Sequence, residues 1–340
     1  MQIFHNANYN FIKWRWHAIA LSTVVIIAGV VAIATQGMRL GIDFSGGTQL
    51  IVKFDQQVTL DKVRDAVASF PGDEVVQQYD RPETRQVLIR LQQTGSEQGT
   101  SLEKTSQEVE QALKGAGLPN FQMVGRDLVG PTVGADLQRR GIYATIASLL
   151  AITVYIGVRF RFSFAVGAIA ATLHDVFVTL AFLQFFGYEM SLNIVAGILT
   201  ITGYSVNDTI VIFDRVRENL RSMRRDSLEQ VVNLSVNQTL GRTIITAGTT
   251  FLSVLSLYLF GGEVLRGFAF TMIVGIISGT YSTVFIASSI AIILSQRKRR
   301  TPATATAPAA AATARPSSAP TTRPSNAPTG RSKQKKRAAS

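Results

Sequence analysis

Leu192 to Phe213 reads LNIVAGILTITGYSVNDTIVIF, an apolar run whose only formal charge is Asp208. About 18 or more such residues in a row read as a membrane-spanning helix. A charge near the middle of one costs roughly 2.5–3.5 kcal/mol on insertion scales, so it marks function more often than packing. Five further runs share the character: His17 to Thr35, Ile142 to Val158, Phe162 to Phe186, Thr243 to Phe260 and Phe268 to Leu294. The expected fold class is an α-helical polytopic membrane protein with six transmembrane helices. The first run is expected to stay as an anchor, because no A-x-A cleavage site follows it.

Composition agrees. Hydrophobic residues make up 46% of the chain and charged residues 16%, against about a quarter charged in soluble proteins. The net charge of +12 would suggest a nucleic-acid partner if it were spread over a domain. It is not: 11 of the 34 Lys and Arg lie between Gln296 and Ser340, with no acid among them, which leaves 23 basic against 22 acidic residues elsewhere. No nucleic-acid partner is therefore expected. The absence of cysteine excludes disulfides, thiol catalysis and cysteine-held metals.

Basic residues near helix ends set orientation. Lys13 and Arg15 precede the first run, and Arg159 and Arg161 lie between the second and third. Asp214 to Arg242 carries six arginines, and Arg297 to Arg300 follow the sixth run. With six spans all four segments fall on one side, so both termini are expected in the cytoplasm. The chain then divides into 1–37 (cytoplasmic N-terminus and first helix), 38–134 (an extracytoplasmic domain), 135–295 (helices two to six, with a cytoplasmic loop 214–242) and 296–340. The last segment is Ala, Pro, Thr and Ser with scattered bases, too polar to bury a core, and is expected to be a disordered basic tail.

The extracytoplasmic segment has readable periodicity. Gly47 to Phe54 alternates like a strand. Thr59 to Phe70 spaces apolar residues like a helix, with Thr59 as N-cap. Glu74 to Tyr79 and Arg85 to Gln92 read as strands joined by a turn at Asp80-Arg81-Pro82-Glu83. Ser101 to Lys114 reads as a helix and Asn120 to Val129 as a last strand. The order β-α-β-β-α-β is that of a small α+β ferredoxin-like domain.

The faces of the spanning helices carry the candidate chemistry. On the fourth helix Asn193, Gly197, Thr200, Tyr204 and Asp208 form one stripe of small and polar groups, with Asn207 beside it. On the fifth, Arg242, Thr246, Thr249, Ser253 and Ser256 follow similar spacing. The third helix places Gly167, Ala171 and Asp175 on one face, preceded by His174. The sixth has Thr271, Gly275, Gly279 and Ser282, and its Gly275–Gly279 pair reads as close helix packing. Asp208 and Arg242 are the candidate proton-handling pair, with Asp175 as a third member and Thr200, Tyr204, Asn207 and Thr246 as the supporting polar face. Desolvation opposes the charge on such a carboxylate and an approaching guanidinium favours it, so a small change in their separation moves the proton. A static buried ion pair is the bland alternative.

Five stretches in this order resemble the SecD/SecF family of the resistance-nodulation-division superfamily. They are Gly41-Ile42-Asp43-Phe44-Ser45-Gly46-Gly47-Thr48; Leu173-His174-Asp175-Val176; Gly203 to Val211 running into Phe213 to Asn219; Gln238 to Thr243 with Leu257 to Gly262; and Leu265 to Met272 with Gly279 to Ser282. The resemblance covers Met1 to about Leu294. It implies half of a resistance-nodulation-division transporter in the bacterial inner membrane, paired with a SecD subunit whose six helices are related by pseudo-symmetry. It further implies association with the SecYEG channel and use of the proton-motive force in late steps of preprotein translocation. Protons would be the coupling ion, no other cofactor is implied, and Asp208 and Arg242 occupy the family's proton-pathway positions. Arg161 stands where many relatives carry an acid, at a membrane edge.

Three other readings use the same residues: a transporter half for a lipid or drug, an intramembrane aspartyl protease with Asp175 and Asp208 as its dyad, and a scaffold. The small extracytoplasmic domain argues against the first. A Gly-x-Gly-Asp protease signature is absent, as are His-Glu-x-x-His spacing and a phosphate loop opening a helix.

Overall fold

The computed structural model describes residues 8–70, 74–80, 82–91 and 99–300. After a 3-10 turn at Ile12–Trp14, α1 spans Arg15–Gln36 and a short α2 spans Ile42–Ser45. An α/β domain follows: β1 Gly47–Phe54, α3 Leu60–Val67, β2 Glu74–Tyr79, β3 Gln86–Leu91, α4 Gly99–Gly115 and β4 Phe121–Val129. Then come α5 Pro131–Arg159, α6 Phe162–Phe185, α7 Leu192–Ser222, α8 Leu228–Phe260 and α9 Glu263–Ser282. A π-helical turn at Thr283–Ala287 carries α9 into α10, Ser288–Arg300. The expected disordered tail lies, from residue 301, outside the described residues, as does Arg81 in the expected turn.

The domain's sheet has the order β2-β3-β1-β4 with every pair antiparallel, which is the ferredoxin-like topology. Leu50, Val52 and Phe54 point to one face because side chains alternate along a strand. There they pack with Val63 and Val67 of α3 and with Val109 and Leu113 of α4. Gly125 sits beside the bulge between Ile51 and Val52, where an added Cβ would stand 2.9 Å from the Ile51 side chain. Thr59 occupies the N-cap position of α3 but makes no side-chain cap bond.

Six helices are long and apolar enough to cross a membrane. Burial ranks them. Over their apolar windows α6 is 56% buried and the α9–α10 rod 67%, against 6% for α5 and 11% for α8. The inner helices meet through small residues, which let backbones approach. Gly29 of α1 faces Ala181 of α6, and Gly275 of α9 faces Ile201 of α7. A Cβ on Gly167 of α6 would fall 2.5 Å from the Ala287 carbonyl oxygen.

The spans run further than the apolar runs. Residues 214–242, expected as a loop, are helical except for 223–227. α8 opens on a capping box at Ser227 and Gln230. Val216 and Asn219 of α7 are buried, as are Val231, Val232 and Ser235 of α8. A hydropathy scan misses such a hairpin because its outward face is charged. The four basic segments converge at this end of the bundle: Arg15 pairs with Glu229 at 2.7 Å, Arg159 with Asp214 at 3.0 Å, and Gln296 bonds Glu229 at 3.2 Å.

Ile89 is fully buried in the domain core. Ile89→Ala is expected to destabilise the domain by about 2–5 kcal/mol through lost transfer energy and a residual cavity. Thermal unfolding of residues 38–134 followed by circular dichroism checks this, and an unchanged midpoint contradicts it.

Candidate functional site

Two carboxylates lie within the bundle, and their surroundings differ. Asp175, on α6, is 1% exposed. Its Oδ2 accepts from Ser205 Oγ of α7 at 2.5 Å and from Ser282 Oγ of α9 at 2.7 Å. Its Oδ1 accepts from Ser278 Oγ of α9 at 2.7 Å and lies 3.0 Å from His174 Nδ1. One side chain thus ties three helices. The approach depends on Gly279, where a Cβ would stand 3.0 Å from that of Ser205. His174 stacks on Tyr281, and its Nε2 is buried without a partner among the described residues.

Asp208 sits on α7 three residues beyond Ser205. Its Oδ1 accepts from Thr243 Oγ1 of α8 at 2.8 Å, while its Oδ2 is buried with no partner among the described residues. Arg242, expected to meet Asp208, is exposed and forms no ion pair with it. The reason is helical rotation: neighbouring positions differ by about 100°, so Thr243 meets Asp208 while Arg242, one position before it, stays on the exposed side of α8.

The expected supporting residues lie on the two helices that hold this carboxylate, and their surroundings differ. Tyr204 is half-buried and packs beside Ile201 and Met272. Thr200, Asn207 and Thr246 are exposed. Thr200, Thr246, Thr249, Ser253 and Ser256 donate to carbonyls one turn back in their own helices, which satisfies the hydroxyl protons and leaves the stripe open. Asn207 makes no such bond among the described residues. Thr200 and Asn207 of α7 and Arg242, Thr246, Thr249, Ser253 and Ser256 of α8 are thus exposed polar positions on the two helices that hold the Asp208–Thr243 bond, whereas Gly197 of the α7 stripe is buried against Thr271.

The structure does not join Asp175 to Asp208 or Arg242. Each carboxylate has its own set of donors, and a shared proton, which an aspartyl dyad needs, has no contact to run through. Sequence reasoning missed Ser205, Ser278 and Thr243. A signal for the first two existed: Ser278 and Ser282 are one turn apart on α9, and Ser205 falls on the face that Ile201 and Thr209 bury.

Asp175→Ala would leave the buried Ser205 and Ser278 hydroxyls without their acceptor, Ser282 keeping the Gly279 carbonyl at 3.2 Å, at about 1–3 kcal/mol for each group that stays unpaired. The variant is expected to lose thermal stability in detergent, whereas Asp208→Asn, which keeps the Thr243 bond, is not. Heating followed by size-exclusion chromatography compares them. Equal stability of Asp175→Ala and the parent chain contradicts the structural role.

Comparisons with known proteins bear on the fold and the family. Residues 108–297 match the family described as protein export membrane protein SecD/SecF, C-terminal, and residues 31–58 match the SecD/SecF GG motif. A protein translocase subunit SecF from Rhodothermus marinus is 41% identical over 316 residues, covering 90% of this chain and all of that one. One from Escherichia coli O157:H7 is 37% identical over 290 residues, covering 85% of this chain and 89% of that one. A crystal structure of SecDF, a translocon-associated membrane protein from a Thermus species, superposes with a TM-score of 0.77 at 31% identity. It matches 88% of this chain, which in turn spans only 40% of the SecDF chain. SecDF in its super-membrane-facing form gives a TM-score of 0.64. With six spans, a ferredoxin-like domain after the first and matches along most of its length, this chain belongs to the SecD/SecF family of protein-export membrane proteins, on its SecF side.

Proposed function

We propose that this chain works with a SecD subunit to draw on the proton-motive force in late steps of preprotein translocation through the SecYEG channel. It is a transport component of the bacterial inner membrane, with protons as its coupling ion and both termini in the cytoplasm. The observation that carries the reading is Asp208: a carboxylate inside the bundle, held through one oxygen by Thr243, with its other oxygen buried and without a partner among the described residues.

An exposed arginine and a carboxamide with no partner among the described residues do not rest against hydrocarbon. A second set of helices closing over α7 and α8 relieves that cost. The SecDF chains, of which this chain spans 40%, have the length to supply such a second half, and this supports SecD as the covering partner. Closure would also exclude water around Asp208 and turn the Arg242 guanidinium into a local switch. When it approaches the free Oδ2, it favours the carboxylate; when it withdraws, Oδ2 takes a proton. One elementary charge moved through 100 mV is worth about 2.3 kcal/mol, enough to bias two packings of these helices roughly fiftyfold. The convergence of the four basic segments at one end of the bundle supports the orientation.

Asp208→Asn preserves shape and the acceptor for Thr243 but cannot titrate. In inverted membrane vesicles it is expected to abolish the stimulation of export by the proton-motive force, at normal protein levels, while ATP-driven export persists. Arg242→Ala is expected to be inactive and Arg242→Lys partly active, since the charge matters more than the fork. Stimulation that survives in Asp208→Asn and collapses with an uncoupler would refute the assignment. Orientation is checked separately: cysteines placed singly at Lys53 and Ser227 should react with an impermeant maleimide from opposite sides of the membrane. Labelling of both from one side would contradict it.

A further inference from the structure

The stretch Gly41-Ile42-Asp43-Phe44-Ser45-Gly46-Gly47-Thr48 stands where the α/β domain meets the bundle. Toward α7 it makes a two-rung backbone connection: Gly41 N donates to the Met190 carbonyl at 2.7 Å, and Met190 N to the Arg39 carbonyl at 2.7 Å. A Cβ on Gly41 would stand 2.9 Å from that same Met190 oxygen. Asp43 Oδ2 accepts from Leu192 N, the first residue of α7, at 2.9 Å. That N–H is one the helix cannot satisfy itself, and the positive end of the helix dipole favours a carboxylate there.

The other side of the stretch grips α5. Gly46 has φ +73°, and a Cβ on it would stand 2.9 Å from Pro131 Cα. A Cβ on Gly134 would stand 3.0 Å from the Phe44 carbonyl oxygen. Ile42 and Phe44 are buried in this joint. A second strut lies alongside: Arg90 of β3, 5% exposed, ion-pairs with Glu189 just before α7 and bonds Gln49 at 3.0 Å. On the Gly41–Asp43 side the contacts are backbone to backbone or charge to helix end, so little flexible side chain is left there to absorb a displacement.

We propose that Gly41–Thr48 is a rigid joint and that Asp43 is a positioning residue within it, fastening the first turn of α7 to the α/β domain. The inference rests on the reading of Asp208 as the proton site. Asp208 lies 16 residues along α7 from Leu192, or about 24 Å at 1.5 Å per residue. A packed helix shifts as a rigid rod, by about 1–2 Å in known switches. A shift of α7 that follows the proton on Asp208 then reaches the α/β domain through Asp43, Met190 and Gly41, and the domain converts it into work on whatever it touches.

The chain is free of cysteine, so spin labels placed on Lys53→Cys in β1 and Phe260→Cys at the end of α8 report the domain's position by double electron–electron resonance. The sample is the full chain in membranes together with its SecD partner. Asp208→Asn is expected to shift the distance peak in the otherwise unaltered chain and to leave it unshifted when Asp43→Ala is also present. Asp43→Ala alone should broaden the distribution. Asp43→Asn, which keeps an acceptor for Leu192 N, should restore both the sharp peak and its response. Gly41→Ala, which forces the two backbones apart from the other side, should reproduce the loss. A response to Asp208→Asn that is the same with and without Asp43→Ala overturns the joint. An unaltered peak for Asp208→Asn in every background, with Asp43→Ala still broadening it, overturns both the transmission and the proton reading. The two failures are thereby told apart.

Discussion

Inside hydrocarbon a polar group has no water to turn to, so it is satisfied by protein or it is costly. The two carboxylates of this bundle meet that constraint in opposite ways. Asp175 is fully enclosed, with three serine hydroxyls from two other helices and His174 directed at its oxygens. Asp208 has one oxygen engaged and the other without a partner among the described residues. The first arrangement resists change. The second invites it, because any donor or proton that reaches the free oxygen relieves a cost already present in the fold.

The two sites are geometrically dependent. Ser205 and Asp208 are three residues apart on α7, so they point about 60° apart around its axis. By holding Ser205, Asp175 sets the rotation of α7 and with it the direction in which Asp208 faces α8. Gly275 and Gly279 on α9 allow the close approach this requires, against Ile201 and Ser205 respectively. Thr209 of α7 then meets Thr283 at 2.9 Å, on the first residue of the π-helical turn. Such turns break the regular hydrogen-bond register and often sit at working sites. The packed helices α6, α7 and α9 thus present one half-satisfied carboxylate to α8, which is only 11% buried.

Much of this was readable from residue order alone, and the limits are physical. The six apolar runs, the four strands and their antiparallel topology rest on periodicities of 3.6 and 2 that backbone geometry imposes. Polar helical extensions were not readable: α8 begins at Leu228, well before the apolar run at Thr243, because its first turns bury only a narrow stripe against α7. Partner choice was also out of reach. Periodicity shows that Asp175 lies on a face with Gly167 and Ala171, but not that three serines from distant segments converge on it. Nor can it decide between adjacent residues: whether Thr243 or Arg242 faces Asp208 depends on the rotation of α8, which tertiary packing sets. The exposed Arg242, Asn207 and Thr246 were legible as polar positions, yet their exposure appears only once the chain is folded alone, with α7 and α8 open on one side.

The account's central claim is that Asp208 exchanges a proton while its surroundings rearrange. Infrared difference spectroscopy on the chain with its SecD partner in energised membranes observes that event directly, through the carbonyl stretch of a protonated carboxyl group. The account predicts a band that rises and falls as the proton gradient is imposed and released, that shifts with 13C-labelled aspartate, and that vanishes in Asp208→Asn while persisting in Asp43→Ala. A band of unchanged size in Asp208→Asn would contradict it.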